Sequence, residues 1–165
     1  MQYQAVAVAN AFLDMARAEG RALDPMQLQK LVYFAHGWHL GLTGDPLILE
    51  PIEAWDYGPV IRTLYQELKT YGSGKVSGMI GDLRSEPPNV WDQATKDFLH
   101  KVWEVYGKLS AVELSAMTHR PNTPWTNARR LPFKNARIPD SGMHEYFSDL
   151  ASRNAGTPGT AATAI

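Results

Sequence analysis

The segment from residue 25 to residue 43 constrains the fold most, because it predicts a helix that is apolar on most of its surface. Apolar residues recur at helical spacing along one side of it, and Phe34 and Trp38 form a second apolar edge. Asp24 followed by Pro25 is typical of a helix start, with an N-cap acceptor before a proline at the first helical position. A helix this apolar must be surrounded by other elements, so we expect it at the centre of the domain.

The rest of the chain predicts further helices, each with one apolar face and one polar face. Their predicted positions are residues 4–19, 59–71, 92–109, a short helix from 110, a brief one around 124–125, and a last one from 140. In the first of them Asn10 falls on the polar face. Ser110 and Glu113 form a capping-box sequence, which predicts a new helix directly after the preceding one.

The β content of the chain is expected to be small. Residues 47–55 are partly β-branched and are interrupted by Pro51, which favours an edge strand or an extended segment over a central strand. Gly58-Pro59 indicates a turn, after which Pro59 is expected to open the third helix. Residues 75–90 predict mainly a loop, with a short strand as an option at 76–80.

These patterns predict a mostly α fold, a compact single-domain helical bundle with a small β element such as a short strand or hairpin. The chain has 165 residues and is 44% hydrophobic, which suffices for one core. We place the domain at residues 1–152. Residues 153–165 are rich in Ala, Gly, Thr and Pro, and they predict a disordered tail.

Composition excludes several classes of protein. There is no cysteine, so disulfides and thiolate chemistry are absent, and no window has the roughly 20 apolar residues of a membrane span. Without a signal-peptide pattern at the start, we expect a cytoplasmic protein with no membrane partner. The formal net charge is −1. The most basic stretch, Arg129, Arg130, Lys134 and Arg137, is thin for nucleic acid and favours a solvated surface patch.

The histidines do not form a recognisable metal or catalytic site. His36 and His39 are three residues apart on one helix, but two ligands without a third are not a site. We therefore expect no metal and no cofactor. His119 with Asp140 and Ser110 or Ser115 could form a triad, yet nothing around these serines resembles a nucleophile elbow. No catalytic residue is predicted, and the chain is expected not to be an enzyme.

Two segments combine aromatic residues with turns, and each has two interpretations. Residues 54–60 hold Trp55 and Tyr57 beside the Gly58-Pro59 turn, and residues 118–125 end on a tryptophan. Both could be tight corners whose aromatics cover the core. Alternatively, they form a shared recognition surface, since Tyr, Trp and Arg are favoured interface anchors. The candidate partner-binding residues are Trp55, Tyr57, Arg62, His119, Arg120 and Trp125.

Lys30 interrupts the apolar central helix. We expect its aliphatic stem to lie along apolar surface while its ammonium reaches solvent, a structural role at most.

Three sequence blocks together resemble a known family. They are LQKLVYFAHGWHL at 28–40, EAWDYGPV at 53–60, and GKLSAVELSAMTH at 107–119 with Pro124-Trp125. Their order and spacing are similar to the Panacea domain family, which includes SocA-like proteolytic adaptors and phage-associated GepA-like proteins. The resemblance covers roughly residues 1–150.

The resemblance implies a largely helical antitoxin domain with a small β element, which neutralises a cognate toxin protein by binding it. SocA-like members also deliver their toxin to the ClpXP protease, so this protease is a second implied partner. The alternative is a DNA-binding or regulatory protein of a prophage or toxin–antitoxin operon. Against it, the polar faces of the predicted helices are mixed in sign, whereas a recognition helix should be basic.

Overall fold

The computed structural model describes residues 1–81 and 91–156. Within them the chain forms seven α-helices, one 3₁₀ turn and one small sheet, so the expected mostly α fold with a β element is confirmed. The elements are α1 (Ala5–Ala18), α2 (Pro25–Thr43), β1 (Ile52–Trp55), β2 (Gly58–Ile61), α3 (Arg62–Leu68), the 3₁₀ turn (Lys69–Tyr71), α4 (Gln93–Tyr106), α5 (Ala111–Thr118), α6 (Pro124–Arg129), β3 (Arg137–Ile138) and α7 (Asp140–Ala155).

Helix α2 is central, as predicted, and is in contact with α1, α3, α4, α5, α7 and β2. Its start follows the predicted chemistry: the Asp24 carboxylate accepts from the Gln27 amide at 2.8 Å, and the Gln27 side chain accepts from the Asp24 amide at 3.0 Å. The helix ends at Gly44, which has the left-handed φ of +78°. The capping box of Ser110 and Glu113 is likewise confirmed at the start of α5.

Helix α7 lies against α2 at a distance that only glycine permits. A β-carbon on Gly37 would overlap the ring of Phe147, and one on Gly41 would lie 2.6 Å from the Phe147 β-carbon. The Phe147 ring is fully buried and packs edge-on against Tyr33, Phe34 and Trp38 of α2. The two glycines therefore form the groove that receives Phe147.

The sheet differs from the expectation in two ways. Its order is β2-β1-β3, all antiparallel, so β1 is the central strand and not an edge strand. Pro51 precedes β1 and removes no hydrogen bond from it. Pro59 does not open a helix either: it lies in β2 opposite Ala54, and α3 begins at Arg62. The Ala54 amide donates to Ala136 on the other side, so Pro59 occupies a position where β1 needs no donor.

Side-chain amides from helices complete two backbone edges. The Gln29 amide both accepts from the Ile61 amide at 2.9 Å and donates to the Ile61 carbonyl at 3.1 Å, on the side of β2 that faces α2. Asn10 makes the same pair of bonds with Ile80, at 3.0 and 2.9 Å. Asn10 is thus buried and not on the polar face, and residues 75–81 form no strand.

The last helix continues to Ala155, three residues beyond the predicted domain boundary at 152. Residues 157–165 of the predicted tail and residues 82–90 of the predicted 75–90 loop lie outside the described residues.

The Gly37 groove generates a stability prediction. Gly37→Ala should lower the free energy of unfolding by about 2 kcal/mol, because overpacking forces α7 away and the helix-propensity gain of about 1 kcal/mol offsets this only in part. Gly142→Ala in α7 is the matched control, since among the described residues no atom beyond its chain neighbours and its own helix backbone lies within 4 Å of the added methyl group. Its free energy of unfolding should stay the same or rise slightly. Urea unfolding followed by tryptophan fluorescence measures both. Equal stability of Gly37→Ala and the unmodified protein would contradict the prediction, because it would show that Phe147 and α7 can shift at little cost in free energy.

Candidate functional site

The β1–β2 hairpin projects an aromatic residue from the domain. Trp55 and Gly58 are paired at the end of the ladder, so Asp56 and Tyr57 form the turn, and Gly58 has a φ of +119° that favours glycine. The Tyr57 residue is 78% exposed. Its carbonyl oxygen accepts from the Ser115 hydroxyl of α5 at 3.2 Å. The corner is therefore held through its backbone, while the Tyr57 side chain is directed outward.

Arg62 and Trp55 are arranged around one carboxylate. Glu53 accepts from the Trp55 indole at 2.7 Å and from two nitrogens of Arg62, at 2.8 and 3.2 Å. The Arg62 guanidinium lies 5.4 Å from the centre of the Trp55 ring. The centre of the Tyr65 ring lies 4.9 Å from the centre of the same Trp55 ring. Although Arg62 is exposed, its side chain is thus already oriented next to the hairpin.

Trp125 joins the later loop to the hairpin. Its indole donates to the Trp55 carbonyl at 2.8 Å, and its ring centre lies 3.9 Å from that of His119. Arg129 lies 5.8 Å from the Trp125 ring centre and pairs with Asp56 at 2.9 Å. Trp125 is half-buried, so it both packs on the core and borders the surface.

The structure brings five of the six candidate residues into one connected group, and Arg120 is the exception. Arg120 instead lines a separate cleft of about 810 Å³ beside Tyr146 and Leu150 of α7. We refer to Trp55, Tyr57, Arg62, Tyr65 and Trp125 as the hairpin face. Tyr65 was not predicted from the sequence, although its spacing of three residues from Arg62 on a helix places it on the same side.

A cleft of about 580 Å³ lies between α2, the hairpin and α3, and we call it the hairpin cleft. Asp56 and Tyr57, the two residues of the β1–β2 turn, are among the residues that line it. Its full lining is Pro25, Met26, Gln29, Lys30, Trp55, Asp56, Tyr57, Val60, Tyr65, Leu68, Lys69, Gly72, Lys134 and Asn135.

Lys30 forms part of the floor of this cleft. The expectation that its ammonium reaches solvent is wrong. The residue is 2% exposed, and its Nζ donates to the Pro59 carbonyl at 3.2 Å. Burial lowers the pKa of Lys30 to about 8, because the protonated form loses its hydration. A β-carbon on Gly58 would lie 2.8 Å from Nζ, so glycine leaves the space that the ammonium occupies. The polar pair Gln29-Lys30 between Leu28 and Leu31 is the sequence signal for this buried contact.

The other ionisable candidates have structural partners. The buried His36 accepts from the Ile48 amide at 3.3 Å through Nδ1 and contacts Asp140 at 3.2 Å through Nε2. Burial lowers the pKa of His36, although Asp140 acts in the opposite direction. Asp140 is therefore paired with His36, whereas Nδ1 of His119 contacts the Ser115 carbonyl at 2.7 Å. The triad considered from the sequence is not formed.

Within residues 1–81 and 91–156, no three His, Asp or Glu side chains lie close enough together to hold a metal ion. No helix in the same part of the chain is long and apolar enough to cross a membrane.

Comparison with known proteins assigns the family. The family described as Antitoxin SocA-like, Panacea domain, matches residues 28–126. The protein named Antitoxin SocA from Caulobacter vibrioides (strain NA1000 / CB15N) is 35% identical over 153 residues, which are 86% of this chain and 80% of that protein. The chain belongs to the SocA-like Panacea antitoxin family. No solved structure matches it.

The Panacea region of the chain begins inside α2 and ends inside α6. It therefore contains the whole hairpin face together with Lys30 and Gln29. Helix α1, helix α7 and the cleft residues Pro25, Met26, Lys134 and Asn135 lie outside it.

The buried ammonium predicts a pH dependence of stability. The pKa of Lys30 is about 8 in the folded protein and 10.5 ordinarily, so the unfolded chain binds more protons between these values. Stability must then rise with pH. Relative to Lys30→Met, the free energy of unfolding should increase by about 1 kcal/mol from pH 7 to pH 9.

Urea unfolding of both proteins at the two pH values measures this difference, because titrations shared by the two proteins cancel. Lys101→Met, which removes an exposed lysine of α4, is the matched control and should follow the unmodified protein. A constant difference between Lys30→Met and the unmodified protein would mean that the Lys30 ammonium is well solvated.

Proposed function

We propose that this protein is the antitoxin of a toxin–antitoxin pair, and that it neutralises its toxin by binding it through the hairpin face. The observation that carries the proposal is the exposed Tyr57 next to the oriented Arg62 and Trp55, within the region matched by the family. The name of the relative, Antitoxin SocA, supports the same function.

The hairpin face has the composition of an interface centre. Tyr, Trp and Arg contribute most to binding energy in protein complexes, especially where they are clustered. Here Arg62 is already held by Glu53, and Trp55 by the same carboxylate, so less side-chain entropy is lost when a partner binds. The Tyr57 backbone is held by Ser115, which leaves only two side-chain torsions to order.

The DNA-binding alternative has weaker support. In the basic stretch from 129 to 137, Arg129 is paired with Asp56, and Arg137 lies in the short strand β3. A major-groove reader needs a helix with a basic face. Helix α6, which contains Arg129, is only six residues long.

The proposed function is tested by co-expression with small reading frames adjacent to the gene in its genome. A cognate toxin should arrest growth when expressed alone, and co-expression of this protein should restore growth. The two proteins should then co-purify. An adjacent toxin that arrests growth equally in the presence of this protein would reject the proposal.

Two modes of neutralisation follow from the resemblance, and toxin half-life separates them. Simple inhibition leaves the toxin stable in the complex. An adaptor that delivers the toxin to ClpXP shortens the toxin half-life, and deletion of the protease then lengthens it again. We propose direct binding as the step common to both.

The hairpin face generates a binding prediction. Tyr57→Ala and Arg62→Ala should each weaken binding to the toxin by about thirtyfold, near 2 kcal/mol, because both remove central anchors. Stability should change little, since Tyr57 is exposed and the Arg62–Glu53 pair is at the surface. Calorimetric titration measures affinity, and thermal unfolding measures stability.

Two surface changes elsewhere serve as matched controls. Leu49→Ala removes a 59% exposed apolar side chain, and Arg17→Ala removes an exposed arginine that pairs with Asp14. Both should bind the toxin with unchanged affinity. If the controls and the hairpin variants bind equally well, the toxin contacts another surface.

A further inference from the structure

Three lysines line the hairpin cleft without a carboxylate partner among the described residues. They are Lys30 at the floor, and Lys69 and Lys134 at the exposed edge. Asp56 also lines the cleft, but its carboxylate is paired with Arg129 at 2.9 Å. The cleft is therefore positively charged, although the formal net charge of the chain is −1.

Lys30 is the least compensated of these charges. An ammonium has three hydrogens to donate, and the Pro59 carbonyl at 3.2 Å accepts one of them. A buried charge without a counter-charge costs free energy. A carboxylate that entered the cleft would supply that counter-charge, in surroundings where water screens the attraction less than at the open surface.

The walls of the cleft are largely apolar. Met26 is 38% exposed, Tyr65 is 40% exposed, and Val60 is half-buried. These side chains offer apolar surface directly beside the charged floor. A ligand suited to both would have an acidic group next to an apolar side chain.

We propose that the hairpin cleft binds an acidic segment of the toxin, with an Asp or Glu carboxylate at Lys30 and a neighbouring apolar side chain against Met26 and Tyr65. This inference rests on the proposed function and adds the chemistry of the partner segment. It also gives Lys30 a role in binding, in place of the structural role expected from the sequence.

A nucleic acid fits the same cleft less well. A strand has a phosphate at every nucleotide, and proteins bind it along an extended basic groove. The hairpin cleft has three lysines, of which one is buried, and its volume of about 580 Å³ accommodates a few side chains. The charge and size of the cleft favour a short acidic peptide.

The experiment selects a phage-displayed library of random 12-residue peptides on the full-length protein. The isolates should contain Asp or Glu beside an apolar residue. The strongest isolate is then synthesised with blocked ends, and its Kd is measured by fluorescence anisotropy. Changing its acid to the amide, or Lys30→Met in the protein, should each weaken binding at least tenfold, which is about 1.4 kcal/mol. Lys101→Met should leave the Kd unchanged.

Met26→Glu is a second variant that does not disturb the core. Met26 is partly exposed at the cleft edge, so the new carboxylate should repel the acidic group of the peptide and weaken its binding at least tenfold. It decides the matter if Lys30→Met does not fold. Isolates without acidic residues, or acidic isolates that Met26→Glu does not weaken, would overturn the inference. So would preferential binding of a 20-nucleotide single strand that Lys69→Ala and Lys134→Ala weaken.

The outcomes separate this inference from the proposed function. Acidic peptides that bind at Lys30, without any toxin that the protein neutralises, would support the cleft chemistry and reject the antitoxin proposal. Neutralisation retained in both Lys30→Met and Met26→Glu would reject the cleft chemistry and leave the antitoxin proposal intact.

Discussion

The buried polar side chains of α2 are the interactions on which the rest of the structure depends. Gln27 donates to the Leu109 carbonyl before α5, Gln29 completes the edge of β2, Lys30 donates to Pro59, and His36 accepts from the Ile48 amide. These bonds join α2 to three other parts of the chain, because Gln29 and Lys30 both contact β2. Leaving one such buried group unpaired costs about 1–3 kcal/mol, so a rotation of α2 that broke several together would remove a large part of the roughly 5–15 kcal/mol that stabilises an ordinary domain. Apolar packing alone would tolerate such a rotation more easily.

The parts of the fold that were predictable from the sequence depend on neighbouring residues. The start of α2 at Asp24-Pro25 and the capping box at Ser110 are local chemistry, and both are confirmed. Pro59 was misinterpreted because proline suits both the first turn of a helix and an edge strand. The choice depends on Gln29, 30 residues earlier in the sequence, whose amide satisfies the outer edge of β2 at Ile61. No local pattern carries that information.

The same reason explains the errors about Asn10 and β1. Asn10 was placed on a polar face because no neighbouring residue indicates its partner. The Asn10 side-chain amide binds the backbone N–H and carbonyl of Ile80, seventy residues later. Residues 47–55 were expected to form an edge strand or an extended segment because Pro51 interrupts them. The second neighbour of β1 is β3, which is two residues long and lies about eighty residues later, so no local pattern indicates that β1 is central. For the candidate site, residue types were sufficient to identify the aromatic corner. The cleft floor at Lys30 was not predictable locally, because it depends on the close approach of the Gly58 turn to the Lys30 ammonium.

The hairpin face and the core are connected mainly through backbone groups. The carbonyl of Tyr57 binds Ser115, the carbonyl of Trp55 binds Trp125, and the carbonyl of Pro59 binds Lys30. Because these bonds do not involve the Tyr57 side chain, the fold holds the corner in place whichever residue is presented there. The floor is different, because Gln29 and Lys30 hydrogen-bond backbone groups of β2 and also line the cleft. Under the proposed function, changes at the tip of the hairpin should therefore alter partner binding without altering the fold, whereas changes at the floor should alter both.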